Sequence, residues 1–158
     1  MAQPVRIITV CAGNICRSPA AEAAIREAAA ETGLAVELDS AGIGPWHIGQ
    51  PPNPRMQRAA SSLGLGVSGR ARQIEPADFD RFDLILAMDR QNLEDLRALA
   101  PDSSAEAKIH LFRTYDPNAT DDEVPDPYYG ADQGFVDVVR MVRAAARGLV
   151  ASLERGSD

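Results

Sequence analysis

VCAGNICRSP, Val10 to Pro19, joins two unlike stretches of chain. Before it lies VRIITV (Val5 to Val10), whose β-branched residues predict a buried strand. After it comes AAEAAIREAAAET (Ala20 to Thr32), a run of strong helix formers closed by Gly33. Ser18 stands where it could cap that helix, and Pro19 suits its first turn. A strand that turns tightly into a helix opens a βαβ unit. It also presents the unpaired N–H groups and the positive end of the helix dipole to whatever the turn encloses. The turn is therefore shaped for an anion, with a sulfur at its start and a guanidinium at its end.

The same alternation continues along the chain. AVELDSA (Ala35 to Ala41), FDLILAM (Phe82 to Met88) and AKIHLF (Ala107 to Phe112) read as three further strands. Arg55 to Leu63, Asp89 to Ala100 and Asp132 to Glu154 read as helices. The last carries Phe135, Val138, Val139, Val142, Leu149 and Leu153 at helical spacing. Between them lie a Gly/Pro loop, GIGPWHIGQPPNP, and an acidic, Pro-rich loop from Thr114 to Gly130. Strands alternating with helices predict a parallel sheet in an α/β fold, with a ligand at the loops that follow the strands.

At 158 residues the chain is long enough for one domain with a real core and short for two. With 16 basic and 23 acidic residues the net charge is 16 − 23 = −7, a poor match for nucleic acid or an anionic membrane. Any positive field that receives an anion must then be local. No stretch approaches the ~20 apolar residues of a membrane span, and MAQPVRIITV lacks the pattern of a secretion signal. A cytoplasmic protein is expected. Two cysteines make no disulfide scaffold, and His47 and His110 beside them make no zinc set, so chemistry without metal or cofactor is expected.

The five residues between Cys11 and Arg17 are enough to curl the backbone of Ala12, Gly13, Asn14, Ile15 and Cys16 around one tetrahedral phosphate. Gly13 is free to take a positive φ and Asn14 tolerates one. The planar fork of Arg17 matches two phosphate oxygens. Cys11 would face the phosphorus, in a field that favours its ionised, nucleophilic form. Ser18 is placed to donate to that sulfur. A lone cysteine at a strand end is otherwise a small buried hydrophobe, and a strand–turn–helix otherwise holds a nucleotide. This turn has neither the G-x-G-x-x-G nor the G-x-x-x-x-G-K-[ST] pattern.

CAGNICRSP resembles the signature of the low-molecular-weight protein tyrosine phosphatases. The likeness runs along the chain through DSAG and WHIG (Asp39 to Gly49), PNPR (Pro52 to Arg55), ARQ (Ala71 to Gln73), LAMD (Leu86 to Asp89) and DPYYG (Asp126 to Gly130). The resemblance implies a compact single domain over residues 1–158, with a central four-stranded parallel sheet flanked by helices. It implies metal-free hydrolysis of phosphotyrosine through a cysteinyl-phosphate intermediate. Its partners would be phosphotyrosine-bearing proteins, with a cognate tyrosine kinase as a candidate, and the state a monomer or weak homo-oligomer.

A thiolate expels an aryloxide only with a general acid at hand. Composition alone reads the acidic residues of the 114–130 loop as solvated, and Asp121, Asp122 and Glu123 keep that reading. The resemblance singles out Asp126, fixed between Pro125 and Pro127, as the acid. It also makes Trp46, Tyr128 and Tyr129 the walls of a slot for a flat ring; without it they read as core and helix cover. Asn14 and Ser40 are expected to brace the loop, while His47 reads as structural. Gly69 stands where several eukaryotic relatives have a His, so the bracing must differ. PNPR replaces the commoner PDPR, which removes an acidic partner. Cys16 is either packing or a second thiol that captures oxidised Cys11 as a disulfide.

Three other functions share parts of this pattern. Arsenate reductases of the same fold need two more downstream cysteines, and none follows Cys16. Protein arginine phosphatases tend to carry Thr where this chain has the apolar Ile15. A phosphate-reading module would need neither the nucleophile Cys11 nor the acid Asp126.

Overall fold

The computed structural model describes residues 3–156. Four strands, β1 (Val5–Cys11), β2 (Val36–Gly42), β3 (Leu84–Ala87) and β4 (Ile109–Leu111), form one parallel sheet in the order β2-β1-β3-β4. The helices are α1 (Arg17–Thr32), α2 (Pro54–Ser62), α3 (Asp78–Arg81), α4 (Arg90–Leu99), α5 (Ser103–Glu106) and α6 (Asp132–Gly156), with a 3-10 turn at Phe112–Tyr115. None of them is long and apolar enough to cross a membrane.

Both faces of the central strands β1 and β3 are buried, which explains their near-continuous apolar runs. The pleat sends Ile7 and Cys11 of β1 and Leu86 of β3 into one core, with Ile25 of α1, Met56 of α2 and Phe135, Val138, Val142 and Leu149 of α6. It sends Ile8 and Val10 of β1 and Ile85 and Ala87 of β3 into the other, with Phe79 and Leu96. The 25-residue α6 crosses the first core, and it comes so close to the 3-10 turn that a Cβ on Gly148 would overlap the carbonyl of Tyr115.

Several sequence expectations need correction. The third strand stops at Ala87, because Asp89 leaves the strand to cap α4: its side chain accepts from the Asn92 N–H, and that of Asn92 accepts from the Asp89 N–H. Ser18 is not a cap. Helix α1 begins two residues earlier than that cap would set it, at Arg17, with Cys16 in the cap position and no side-chain cap bond. The short helices α3 and α5 have no counterpart in the sequence reading. Each is a single turn, too short for a periodic signal.

Candidate active site

The turn between β1 and α1 lies at the carboxyl end of the sheet, where the order reverses between β1 and β3. Its neighbours fix which way its peptide groups face. The carbonyls of Cys11, Ala12 and Ile15 accept from the N–H groups of Ile43, Gly44 and Asn53 at 2.9, 3.0 and 2.8 Å. All peptide bonds here are trans, so the N–H groups of Ala12, Gly13 and Cys16 point to the opposite side. This is how the 43–53 loop turns these donors away from itself. Gly42 must lack a side chain, because a Cβ there would meet Ala12 O and Gly13 C at 3.0 Å. Asn14 takes the left-handed conformation (φ 60°), and Gly13 does not. Gly13 serves another need: a Cβ on it would stand 2.8 Å from His47 Cδ2.

Asn14 and Ser18 lie under the loop, buried. Asn14 Nδ2 donates to Ser18 Oγ at 2.8 Å and to Ser40 Oγ at 3.0 Å, while its Oδ1 accepts from the Arg72 N–H at 3.0 Å. Ser18 Oγ is 3.1 Å from Cys11 Sγ. The Ser40 brace expected from the sequence is therefore present. Gly69 (φ 106°) borders a small cavity of about 10 Å³ against Asn14 and Ser40. Support on this side comes from the ARQ segment, where Gly42 pairs with Gln73 and so holds the Arg72 N–H against Asn14. Arg72 is fixed in turn by Asp39 and the fully buried Asp78, each at 2.9 Å.

Arg17 is only 2% exposed. Its Nη1 donates to Asp89 Oδ2 at 2.6 Å and to the Val124 carbonyl at 3.1 Å, and its Nη2 lies 3.7 Å from Asp126 Oδ2. Burial pulls its pKa down, but the Cys11 sulfur, Asp89 and Asp126 outweigh burial and raise it above the ordinary value. The LAMD motif by itself gives Asp89 no role in the sequence. Its position just past a strand end was the available signal.

Cys11, Asp126 and the proposed aromatic walls come together around one cleft of about 420 Å³. The 11–17 turn contributes Cys11, Ala12, Gly13, Ile15, Cys16 and Arg17; the remainder comes from Trp46, His47, Asp126, Tyr128 and Tyr129. Asn14 and Ser18 do not line it. Trp46 is 65% and Tyr129 94% exposed, so neither is core. Tyr128 and Tyr129 meet edge to face at 4.8 Å. A Cβ on Gly44 would overlap Trp46 Cζ3, so the indole folds back over that glycine. His47 was read as structural, yet it lines the cleft, tilted against Tyr128 at 6.3 Å and bonded through Nδ1 to Gln50 at 3.0 Å. Burial, then the neighbouring Cys11 and Asp126, push the Cys16 thiol up to about 12. In PNPR, Asn53 caps α2 by accepting from the Arg55 N–H at 2.8 Å. Arg55 finds its acidic partner in Asp132, also at 2.8 Å, donates to the Gly130 carbonyl at 2.6 Å and lies over the Phe135 ring.

The sequence model of the family described as low molecular weight phosphotyrosine protein phosphatase matches residues 6–158. A low molecular weight protein-tyrosine-phosphatase of Streptomyces coelicolor is 45% identical over 152 residues, covering 94% of this chain and 93% of the other. The low molecular weight protein-tyrosine-phosphatase YfkJ of Bacillus subtilis is 40% identical over 156 residues, covering 96% and 97%. Among solved structures, a protein tyrosine phosphatase from Entamoeba histolytica, crystallised with Hepes in the active site, superposes with a TM-score of 0.93 at 36% identity, covering 98% of this chain and 99% of that one.

Proposed function

The chain belongs to the low molecular weight protein tyrosine phosphatase family of hydrolases, and from that premise we propose that it hydrolyses phosphotyrosine through a cysteinyl-phosphate intermediate. Cys11 is the nucleophile, Arg17 the phosphate clamp and Asp126 the general acid and base. One observation carries this reading: a sulfur, a buried guanidinium and a carboxylate from opposite ends of the chain line a single cleft.

In the first step the Cys11 thiolate attacks phosphorus and the P–O bond to the ring breaks. Asp126, in its acid form, gives its proton to the departing oxygen. Arg17 and the N–H groups of Ala12, Gly13 and Cys16 hold the equatorial oxygens as charge spreads over them. In the second step water attacks phosphorus and its proton passes to Asp126. The S–P bond breaks and inorganic phosphate leaves, with Ser18 donating to the sulfur as it regains its charge. The set is complete without a metal ion. Ile15, Trp46, Tyr128 and Tyr129 give the cleft the apolar and aromatic surface that suits a flat ring, and they favour phosphotyrosine over phosphoserine or phosphoarginine.

Purified protein should turn over aryl phosphates at a rate EDTA does not change, and Cys11→Ser or Arg17→Ala should abolish it. Asp126→Asn should lower kcat by about 10²–10⁴-fold. Its loss in kcat/KM should shrink as the leaving group improves. Residual turnover by Cys11→Ser, or faster hydrolysis of a phosphoarginine peptide than of its phosphotyrosine match, overturns the reading.

A further inference from the structure

Asp126 is held loosely where it matters most. Its carboxylate accepts from the Tyr128 N–H at 3.1 Å and faces Arg17 at 3.7 Å, and its side chain is 47% exposed. The strong contacts lie two to four residues earlier. The Val124 N–H donates to the Met88 carbonyl at 2.7 Å, and Val124 O accepts from Arg17. Arg113 Nη1 donates to the Glu123 carbonyl at 2.9 Å. Arg90 bonds twice: its N–H to Glu123 Oε2 at 2.9 Å and its Nη2 to Asp122 Oδ2 at 2.8 Å. From Val124 the chain passes through Pro125, whose φ is fixed, directly to Asp126. A shift of 122–124 is therefore carried to the carboxylate with little slack.

We propose that Arg90 and Arg113 are positioning residues for the acid, clamping residues 122–124 so that Asp126 stays over the phosphate side of the cleft. The proposal rests on Asp126 being the general acid. It explains why two cations lie outside the cleft yet converge on one acidic segment. Asp121, Asp122, Glu123 and Asp126 repel one another, and all would be repelled by a phosphate dianion entering beside them. Arg90 and Arg113 offset that repulsion from behind, where they cannot bind the substrate phosphate themselves. The junction also leaves Arg113 Nε and Asp122 Oδ1 buried without partners. Such groups cost stability, so stability alone does not account for placing an arginine there. Arg90 opens α4 one residue after Asp89, the partner of Arg17, so phosphate clamp and acid are referenced to the same helix start.

The test is a series of aryl phosphates of graded leaving-group pKa, read as kcat/KM, with wild type, Arg113→Met, Arg113→Lys, Arg90→Gln, Asp126→Asn and the double variant Asp126→Asn/Arg113→Met. Displacement of a catalytic group costs up to about a hundredfold. Arg113→Met should therefore lose about tenfold or more on phenyl phosphate and much less on the best leaving group. Arg113→Lys, which keeps a donor for the Glu123 carbonyl, should recover most of that. Arg90→Gln, whose side chain is two-thirds exposed and dispensable for the core, should show the same slope in smaller measure, more strongly at low salt. On the Asp126→Asn background, Arg113→Met should cost nothing further. Equal losses across the series for both Arg113→Met and Arg90→Gln, or additive losses in the double variant, overturn the clamp while leaving the acid in place. A flat series for Asp126→Asn itself removes the acid, and the clamp with it.

Discussion

Arg17 Nη1 stands 2.6 Å from Asp89 Oδ2, and Asp89 Oδ1 accepts from the Asn92 N–H at 2.8 Å. One carboxylate thus aims the guanidinium of the site with one oxygen and caps α4 with the other. The two duties separate by substitution. Asn caps a helix about as well as Asp, whereas Ala loses about 1 kcal/mol. Asp89→Asn should keep thermal stability close to wild type and weaken inhibition by inorganic phosphate severalfold or more, with kcat/KM falling in step. Asp89→Ala should lose both. A drop in melting temperature for Asp89→Asn as large as for Asp89→Ala would show that the charge, not the cap, holds the helix.

Cys16 lies in the cleft with its thiol pushed up to about 12 by burial and by the Cys11 sulfur beside it. At neutral pH it therefore stays protonated. Peroxide changes this balance. Oxidation of Cys11 to a neutral sulfenic acid removes that sulfur's contribution to the upward shift of Cys16. The Cys16 sulfur can then displace water from the sulfenic acid to form a disulfide. Wild type should lose activity in peroxide and recover most of it in dithiothreitol. Cys16→Ser should turn over normally beforehand and recover poorly. Equal recovery by both, with no Cys11–Cys16 disulfide in the mass spectrum, would leave Cys16 as packing.

Acid should weaken the Arg72 junction. Burial raises the Asp78 pKa, but bonds from Arg72 and the Glu75 N–H outweigh it and hold the carboxyl below its ordinary value. A pKa lowered in the folded state contributes stability that is full above the unfolded pKa. It is lost as pH falls through the folded one. Urea midpoints should therefore fall as pH drops below about 4. Asp78→Asn should be less stable at pH 7 and flatter over that acid range. An unchanged acid slope in Asp78→Asn would assign it to other carboxylates.

Helix α6 meets the 3-10 turn where a methyl group has no room, with Gly148 against Tyr115 O. Alanine normally favours a helix over glycine by about 1 kcal/mol. Here the overlap with backbone should reverse the sign, with Gly148→Ala losing about 1–3 kcal/mol in urea titration. A stabilised Gly148→Ala would mean that the turn yields at little cost.

The strand pattern and the VCAGNICRSP junction were readable because each rests on residues adjacent in sequence. Val5 to Cys11 and Arg17 to Thr32 fall within a residue or two of their expected bounds. Trp46 and Tyr129 were placed at the cleft only through the family resemblance, since an aromatic residue in a loop reads equally well as core. Asp89, His47 and Arg72 were missed for a different reason. Each acts on the loop through a contact across the fold: Asp89 on a residue 72 positions away, and Arg72 through its backbone rather than its charge. Gly13 was read for conformational freedom, whereas its value lies in the space it leaves for His47. No local pattern carries information of that kind.

Trp46 is the only tryptophan of the chain, and it stands exposed at the cleft. The protein therefore carries a built-in optical probe whose signal belongs to the site and not to the core. Its emission in the free enzyme should already be red-shifted, like that of indole in water. A flat ligand settling against it should quench or blue-shift it, so that unlabelled enzyme reports its own occupancy in a stopped-flow trace. Conversely, emission is a poor witness to unfolding here, because the indole has little water left to gain. Circular dichroism should follow the loss of the sheet through a full transition, whereas fluorescence should register only a small change.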